Sequence, residues 1–574
     1  MGFSLNLGRK DSNLRMAVPK TAALPLGDAP ARVKNSSNGS GEAKYFATTA
    51  LRSLFSRETP KMILSFLQCK IFTLPIEKSM RIVHIATEFA PIAKAGGLGE
   101  VILGLSRELC RIGHEVEVIL PKYDFIPHSS LQRVSLEVPD FKCFEKGQLH
   151  ANAMWSAECE GIPLHLLEAR HPAGYFHRGK IYGCDDDTAR FLYFSRAAAE
   201  YLKRTDRPID ILHLHDWHSA LAALFARDVF RLPVKAIALS IHNAAYQGKC
   251  AVWDLDYIGL PGQKHLTKDA FQDDDPAHPS LINILKGGLA YADAIVAVSP
   301  TYAKEILTPE YGYGLDPTFR KLEKKLVGIL NGLDLKFWDP EKDRSISAHF
   351  KAKDPIETIL NAKGQNRAAL AKRFSLPAAS RPWVGTITRL AYQKGPELIE
   401  AALLETIRLG GVFILLGSAP SPELRAHFEN LKSRCKGQAL LHFEYDEALA
   451  HEVYAALDFL VLPSRYEPCG LSQMIAMRYG TLPIARATGG HLDTIFDCDD
   501  PNIPSPKRNG FLFRNYSEPA QIEALRRAID RFKKNPALLH ALIKNGMSAD
   551  WSWAKPAREY ERLFLQLLRN TANR

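Results

Sequence analysis

A glycine turn with a lysine beside it combines residue types that bind phosphate. It follows a strand-like apolar run, Arg81–Ala86, and precedes a helix-like run that begins near Gly99. Such a connection brings free backbone N–H groups and the positive end of a helix dipole to one point. Gly96 and Gly97 let the backbone approach an anion, and Lys94 adds a full charge. The turn therefore indicates a site for phosphate; a tight turn with a surface lysine is the alternative.

Two further cations lie five residues apart after another strand-like run. Arg389 and Lys394 follow the segment WVGTIT and stand in a loop closed by Gly395. A guanidinium offers a planar fork of donors and an ammonium a compact charge, a combination that suits a diphosphate. The same two residues could also be ordinary surface cations.

A carboxylate ends a third strand-like run. Glu467 follows the segment FLVLP and precedes a helix-like run, so its oxygens could accept hydrogen bonds from sugar hydroxyls. Backbone N–H groups at a helix start are unpaired and attract anions. The residues whose N–H groups could meet the sugar or phosphate here are Cys469, Gly470 and Leu471.

Four histidines near strand ends could bind a metal or line a pocket. His242 ends one apolar run, and the segment HLHDWH contributes His213, His215 and His218. A core or turn position is the ordinary expectation for a histidine at a strand end. No Cys or Glu pattern with metal-ligand spacing accompanies these histidines, and we expect no metal.

The elements that must position these residues alternate along the chain from Met80 onward. Short apolar runs read as buried strands, and helical patterns such as Asp187–Arg204 lie between them. A second series of the same kind begins near residue 380. The alternation predicts an α/β protein with two doubly wound, parallel-stranded domains that face each other across a cleft.

These patterns divide the chain into five parts. Residues 1–79 form an N-terminal extension that is poorly ordered, belongs to a cleaved targeting segment, or reflects a start site wrongly assigned upstream of Met80. The other four are a first domain, a connecting segment, a second domain and a C-terminal helix, at residues 80–335, 336–379, 380–550 and 551–574.

Composition argues against two classes of partner. The net charge is +11, but residues 1–79 hold twelve Lys or Arg against five Asp or Glu, which leaves about +4 for the rest. No aromatic-basic pattern indicates nucleic-acid binding, and no run of eighteen apolar residues indicates a membrane span. The nine cysteines show no CxxC spacing, which favours a reducing compartment and argues against structural zinc.

Eight motifs in order over residues 80–574 resemble bacterial glycogen synthases and plant starch synthases, the retaining ADP-glucose-dependent transferases of glycosyltransferase family 5. The motifs are KAGGL (94–98), HLHDWH (213–218), IHNAAYQGK (241–249), AVSPTYAKEI (297–306), ILNGLD (329–334), TRLAYQKG (388–395), PSRYEPCGLSQ (463–473) and RATGGHLDT (486–494).

The resemblance implies the GT-B architecture, two Rossmann-like domains around a deep cleft, with the C-terminal helix crossing back to the first domain. It implies an acceptor side on the first domain and a nucleotide-sugar side on the second. The implied reaction is transfer of glucose from ADP-glucose to the non-reducing end of an α-1,4-glucan such as glycogen, with retention and release of ADP. It implies no cofactor.

Residue by residue, the resemblance implies three catalytic positions, His242, Glu467 and Asp216. Arg389 and Lys394, together with Lys94, would stabilise the departing ADP. The other substrate contacts that it implies are Gly96, Gly97, Tyr182, Asn243, Asn331, Cys469, Gly470, Leu471, Thr488 and Gly489.

Three positions depart from the family pattern. Glu100 stands where the family usually has aspartate, and His491 where the motif TGG usually continues with leucine. Ile475 replaces a second glutamate that many related transferases have, so this helix offers no carboxylate to a ribose.

Two alternatives remain from the sequence. One is a transferase of the same fold that uses UDP-glucose, and the other is a catalytically silent glucan-binding protein. We expect a bacterial cytoplasmic protein, with a plastid as the alternative location. The sequence does not indicate an oligomeric state.

Overall fold

The computed structural model describes residues 79–377, 382–419, 421–435, 437–444 and 446–572. Our expectations for residues 1–78 fall outside this part of the chain. The described residues form two separate sheets covered by helices, and the predicted α/β fold class is confirmed.

The first sheet and a small two-stranded ladder contain the first eleven strands. These are β1 (Arg81–Ile85), β2 (Glu115–Pro121), β3 (Gln132–Glu145), β4 (Gln148–Cys159), β5 (Ile162–Ala169), β6 (Ile209–His215), β7 (Val234–Ile241), β8 (Lys249–Ala251), β9 (Leu281–Asn283), β10 (Ala294–Ala297) and β11 (Leu326–Gly328). The sheet order is β11-β10-β7-β6-β1-β2-β5-β4-β3, and β8 pairs with β9 alone. Every residue of β1 is buried, as expected for a strand covered on both faces.

An antiparallel edge on this sheet differs from the parallel sheet that we predicted. Strands β3, β4 and β5 pair antiparallel, whereas the strands from β11 to β5 run parallel. Lys146 and Gly147, both at positive φ (50° and 77°), connect β3 to β4. A two-residue turn of this conformation matches the twist of a hairpin, and the sequence analysis missed it.

Ten helices of the described residues accompany this sheet. They are α1 (Leu98–Arg111), α2 (Asp187–Thr205), α3 (Trp217–Ala220), α4 (Ala222–Leu224), α5 (Val252–Tyr257), α6 (Gly262–His265), α7 (Ile284–Tyr291), α8 (Pro300–Glu305), α9 (Pro309–Gly312) and α10 (Asp316–Lys321). In α1 the buried residues Leu98, Ile102, Leu105 and Leu109 recur at helical spacing, which directs one face of the helix to the sheet.

The second sheet has six parallel strands in the order β14-β13-β12-β15-β16-β17. They are β12 (Trp383–Ile387), β13 (Val412–Leu416), β14 (Ala439–His442), β15 (Phe459–Leu462), β16 (Leu482–Arg486) and β17 (Phe511–Phe513). The remaining helices are α11 (Ile356–Phe374), α12 (Pro396–Arg408), α13 (Pro422–Arg434), α14 (Glu447–Ala456), α15 (Ser472–Arg478), α16 (Gly490–Thr494), α17 (Glu518–Lys534), α18 (Pro536–Ser548) and α19 (Ala554–Ala572).

Helix α11 lies within the segment that we predicted to be a connection. Its buried Lys363 donates to the carbonyls of Ala455 (3.1 Å) and Tyr479 (2.9 Å) and to Thr481 Oγ1 (3.0 Å). Burial lowers the pKa of Lys363 to about 7. Two of the charged residues that suggested an exposed linker, Lys363 and Arg367, are therefore buried, and α11 is part of the second domain.

The last helix, α19, packs against the first sheet. Buried Tyr560 and Phe564 face His213, and Glu561 Oε1 lies 3.1 Å from His114 Nε2. No helix of the described residues combines the length and the hydropathy needed to cross a membrane.

Candidate active site

Loops at the carboxyl ends of strands in both sheets carry the predicted site residues. Strands β6 and β7 lead into Asp216 and His242, and β15 leads into Glu467. The two domains touch beside these loops, because a Cβ added to Gly97 would lie 3.4 Å from Leu471 Cδ1. The structure thus brings residues of both domains to one interface.

Glu467 is buried and forms an ion pair within its own domain. Lys394 Nζ lies 2.5 Å from Glu467 Oε2, and Ser464 Oγ donates to the same oxygen at 2.8 Å. Burial favours a higher pKa for Glu467, but the charges of Lys394 and His491 and these hydrogen bonds bring it below its ordinary value. The sequence analysis predicted both Lys394 and Glu467 but missed their pairing.

Arg389 lies two residues beyond the end of β12 and five residues before Lys394 in the sequence. Its guanidinium is partly buried and makes no hydrogen bond or ion pair with a residue that the structure describes. The N–H donors of the Arg389 guanidinium are therefore available for an anionic ligand.

Asp216 fixes the end of the neighbouring strand. Its Oδ1 accepts hydrogen bonds from the backbone N–H groups of His242 (2.7 Å) and Asn243 (3.3 Å). Its φ of 55° is a conformation that non-glycine residues rarely adopt and that is concentrated at functional sites. Burial raises the pKa of Asp216 to about 7, although the two hydrogen bonds oppose that shift.

His242 begins a line of three imidazoles that runs into the core. His242 Nε2 lies 3.1 Å from His215 Nδ1, and His215 Nε2 lies 3.0 Å from His84 Nδ1. Burial lowers the pKa of His242 and of His84 to about 3, and that of His215 well below its ordinary value. The three rings are therefore neutral at pH 7, and each contact pairs a protonated nitrogen with an unprotonated one.

Three of the buried histidines could be imagined around a metal ion. His84, His213 and His215 each place a ring nitrogen within 4.8 Å of the others. His213 Nε2, however, is engaged with Ser240 Oγ at 2.8 Å, and both nitrogens of His215 are engaged with other rings. An ion would have to displace a ring contact of His215, whereas His84 Nε2 and His213 Nδ1 have no hydrogen-bond partner among the described residues. The expectation of no metal stays a prediction.

An internal carboxylate occupies the glycine turn. The N–H groups of Ala95 and Gly96 donate to Glu88 Oε2 at 2.8 and 2.9 Å, and Tyr182 donates to Glu88 Oε1 at 3.0 Å. Glu88 is buried, and the sequence analysis missed it. Its position three residues beyond β1, just before the turn, is the signal that was available.

Lys94 links the two domains. Its Nζ lies 2.5 Å from Glu100 Oε1 and 3.3 Å from Glu447 Oε2 in the second domain, and 5.7 Å from the centre of the Phe337 ring. Glu100, which stands where the family usually has aspartate, is thus an ion-pair partner of Lys94. A phosphate at Lys94 would share the ammonium with these two carboxylates.

The predicted contacts at Thr488 and Gly489 are engaged by the first domain. Glu305 Oε1 accepts from Thr488 Oγ1 and from Gly489 N, each at 2.9 Å. As substrate contacts these two residues remain a prediction, and in this structure Glu305 engages both donors.

Asn331 and Cys469 lie together at the interface. Asn331 is buried, and its Oδ1 has no hydrogen-bond partner among the described residues. Burial raises the pKa of the nearby Cys469 thiol to about 12, so it is a neutral thiol. A buried, unpaired amide oxygen is costly, and this favours the predicted ligand contact at Asn331.

The other two departures are packed inside the second domain. Ile475 is buried in the core, and His491 Nδ1–H donates to the carbonyl oxygen of Arg486 at 3.0 Å. His491 also lies near Glu467, and it contributes to the low pKa of that carboxyl group.

Family models match both domains of the chain. The model described as "Starch synthase catalytic domain" matches residues 81–321, and the one described as "Glycosyl transferases group 1" matches residues 370–548.

Similar proteins extend over most of the chain. A glycogen synthase of Protochlamydia amoebophila is 40% identical over 84% of this chain and 99% of its own length. The probable starch synthase 4 of Arabidopsis thaliana, chloroplastic/amyloplastic, is 42% identical over 86% of this chain, which spans 48% of that longer relative.

Two solved structures share the fold. The catalytic domain of starch synthase IV from Arabidopsis thaliana, bound to ADP and acarbose, is 41% identical with a TM-score of 0.81, and covers 86% of this chain and 100% of its own. A sucrose-phosphate synthase from Thermosynechococcus elongatus, 20% identical with a TM-score of 0.54, covers the same shares and shows the fold alone.

Proposed function

Because the chain belongs to the family of glycogen synthases and starch synthases, we propose that it transfers glucose from ADP-glucose to the non-reducing end of an α-1,4-glucan. The anomeric configuration is retained, and ADP is released. The observation that carries this proposal is the buried Glu467, paired with Lys394 in a loop whose Leu471 lies against the Gly97 turn of the first domain. The Arg389 guanidinium, which no described residue pairs, follows β12 of the same domain.

The cations of the second domain stabilise the leaving group. Negative charge develops on the diphosphate as its bond to glucose breaks, and fixed positive groups in a dry site stabilise that charge. Arg389 and Lys394 supply these groups, and Lys94 adds a third charge from the first domain. These three cations take the place of a divalent metal ion, so we propose that the reaction proceeds in the presence of a metal chelator.

Glu467 and His242 hold the transferred glucose. Glu467 stays ionised because of Lys394, and it accepts hydrogen bonds from sugar hydroxyls. His242 is neutral and contributes a hydrogen bond without charge. Asp216 sets the end of β7 from which His242 projects.

Retention follows from attack on the face from which ADP leaves. Glu467 is engaged with Lys394 and Ser464, which makes it a poor nucleophile. We therefore assign proton removal from the acceptor hydroxyl to the departing phosphate. Closure of the two domains excludes water from the reaction.

The location of the reaction follows the relatives. The similar proteins include a bacterial glycogen synthase and a chloroplastic or amyloplastic starch synthase. We propose the bacterial cytoplasm as the site of action and keep the plastid as the alternative, which fractionation of the source cells decides.

The experiment is glucose incorporation into glycogen with ADP-glucose and UDP-glucose in parallel, each with and without EDTA. We expect incorporation from ADP-glucose that EDTA leaves unchanged, and we expect α-1,4-specific hydrolases to release all of the incorporated glucose. Preference for UDP-glucose would overturn the donor, and binding of glycogen without incorporation from either donor would show a silent glucan-binding protein.

A further inference from the structure

One short helix of the first domain, with its N-cap, reaches the loops of the second domain. Ser299 Oγ donates to the carbonyl of Pro468 at 2.6 Å, in the loop that carries Glu467. Thr301 donates to Asp493 through both its backbone N–H (2.9 Å) and its hydroxyl (2.8 Å). The start of α8 is therefore fastened to the second domain at two places.

Glu305 fastens the end of the same helix. Its Oε1 accepts from Thr488 Oγ1 and Gly489 N, each at 2.9 Å, in the turn that follows β16. Its Oε2 is buried and has no hydrogen-bond partner among the described residues. Leaving a carboxylate oxygen unpaired costs free energy, so packing alone does not account for a glutamate here.

The turn that Glu305 holds lies directly against the Glu467 loop. Gly490 N donates to the carbonyl of Glu467 at 3.0 Å. A Cβ added to Gly489 would lie only 1.9 Å from that same carbonyl oxygen, and one added to Gly490 would lie 1.9 Å from the carbonyl oxygen of Cys469. Since no space separates the two segments, a displacement of the turn moves the Glu467 loop.

We propose that Glu305 is a positioning residue for glucosyl transfer: from the first domain it fixes the Thr488–Gly489 turn, and through that turn it holds the Glu467 loop in its working geometry. This inference rests on the proposed function. Glu305 acts through one acceptor oxygen, since Oε1 accepts both hydrogen bonds, so its charge is less important than its reach.

Three variants test the assignment. Glu305→Ala removes the acceptor, Glu305→Gln keeps an amide oxygen at the same reach, and Lys304→Ala changes an exposed neighbour on the same helix. We expect Glu305→Ala to lower kcat by about tenfold or more while KM for ADP-glucose changes by less than about threefold, because a misplaced Glu467 weakens transition-state contacts. Glu305→Gln and Lys304→Ala should stay within about threefold of the unaltered protein in both constants.

A second measurement reads the loop itself. Amide hydrogen exchange of a peptide over residues 464–471 should accelerate in Glu305→Ala and stay unchanged in Glu305→Gln and Lys304→Ala, with β12 and β13 protected in all three. Normal kcat in Glu305→Ala, an equal loss in Glu305→Gln, or unchanged exchange would overturn the assignment. If the unaltered protein transfers no glucose, the proposed function fails, and the exchange measurement still decides the positioning.

Discussion

The two sides of the interface hold their site residues by different physical means. On the first domain, His242, His215 and His84 form a buried line of neutral rings, and burial raises the pKa of Asp216 to about 7. On the second domain, Glu467 is kept ionised by Lys394, and Arg389 carries a charge that no described residue pairs.

This difference separates two chemical tasks. A neutral, hydrogen-bonded surface suits hydroxyl groups of sugars, which carry no charge. Fixed cations such as Arg389 and Lys394 suit a diphosphate that becomes more negative during the reaction. The ionised Glu467, paired with Lys394, accepts hydrogen bonds from the transferred sugar. The comparison predicts that loss of a fixed charge in the second domain lowers turnover, whereas loss of a buried titratable group in the first domain also changes how stability depends on pH.

Removal of the unpaired guanidinium should give the largest effect. We expect Arg389→Ala to lower kcat by about 10²–10³-fold, as for loss of a group that stabilises transition-state charge. Steady-state kinetics with ADP-glucose measure this, with Arg434→Ala, an exposed arginine at the end of α13, as the matched control. Equal, small effects in both variants would contradict the claim that the charge of Arg389 stabilises the leaving diphosphate.

Asp216→Asn tests the raised pKa on the first domain. A carboxyl group with a raised pKa in the folded state stabilises the fold below its unfolded pKa near 4, and that stability is lost as the pH rises through about 7. The variant lacks this titration. The difference in melting temperature, variant minus unaltered protein, should therefore rise between pH 4.5 and pH 7.5. This rise corresponds to a few kcal/mol at most in the free energy of unfolding. A difference that is constant with pH would contradict a raised pKa.

His84→Gln tests the histidine line with the opposite sign. A histidine with a lowered pKa in the folded state remains neutral, while the unfolded chain takes up a proton below about pH 6.5, so the fold loses stability as the pH falls. Between pH 7.5 and pH 5 the melting temperature of the variant should decrease less than that of the unaltered protein. The difference corresponds to roughly 2 kcal/mol in the free energy of unfolding. His128→Gln, at an exposed site, should leave the acid loss unchanged; the same acid loss in His84→Gln would refute the buried neutral ring.

Glu447→Gln should give the smallest effect. It weakens the contact between Lys94 and the second domain, but the Glu447 side chain is 44% exposed, and ion pairs at such sites contribute about 1 kcal/mol or less. We expect KM for ADP-glucose to change by less than about threefold, with the difference reduced in high salt. A large loss of kcat would show that the catalytic contribution of Lys94 depends on its ion pair with Glu447, and it would contradict the small role that we assign to this contact.

The sequence predicted the fold class and the strand ends that carry the site. Glycine turns, apolar runs and single polar residues after strands are local features, and they placed Asp216, His242 and Glu467 correctly at the carboxyl ends of β6, β7 and β15. The motifs also predicted the family, which the relatives confirm.

What the sequence did not reveal are contacts between distant residues. Glu305 engages the Thr488–Gly489 turn from 184 residues away, and no local pattern predicts that partner. Glu88 lies only eight residues before Gly96, and its position after β1 was a local signal that the sequence analysis did not use. Helix α11 was missed because its charged residues suggested an exposed linker, whereas Lys363 is buried by hydrogen bonds that form only in the folded chain. The β3–β4 hairpin was missed although Lys146 and Gly147 signalled it locally.

The central claim is that Glu467, kept ionised by Lys394, binds the transferred glucose through hydrogen bonds from its hydroxyl groups. The measurement is the initial rate of ADP release from ADP-glucose in the presence of a maltooligosaccharide, for Glu467→Ala and for Glu423→Ala, an exposed glutamate of the same domain. We predict that Glu467→Ala loses at least about 10²-fold in rate with its circular dichroism unchanged, while Glu423→Ala is fully active. A folded Glu467→Ala protein with near-normal turnover would contradict the account.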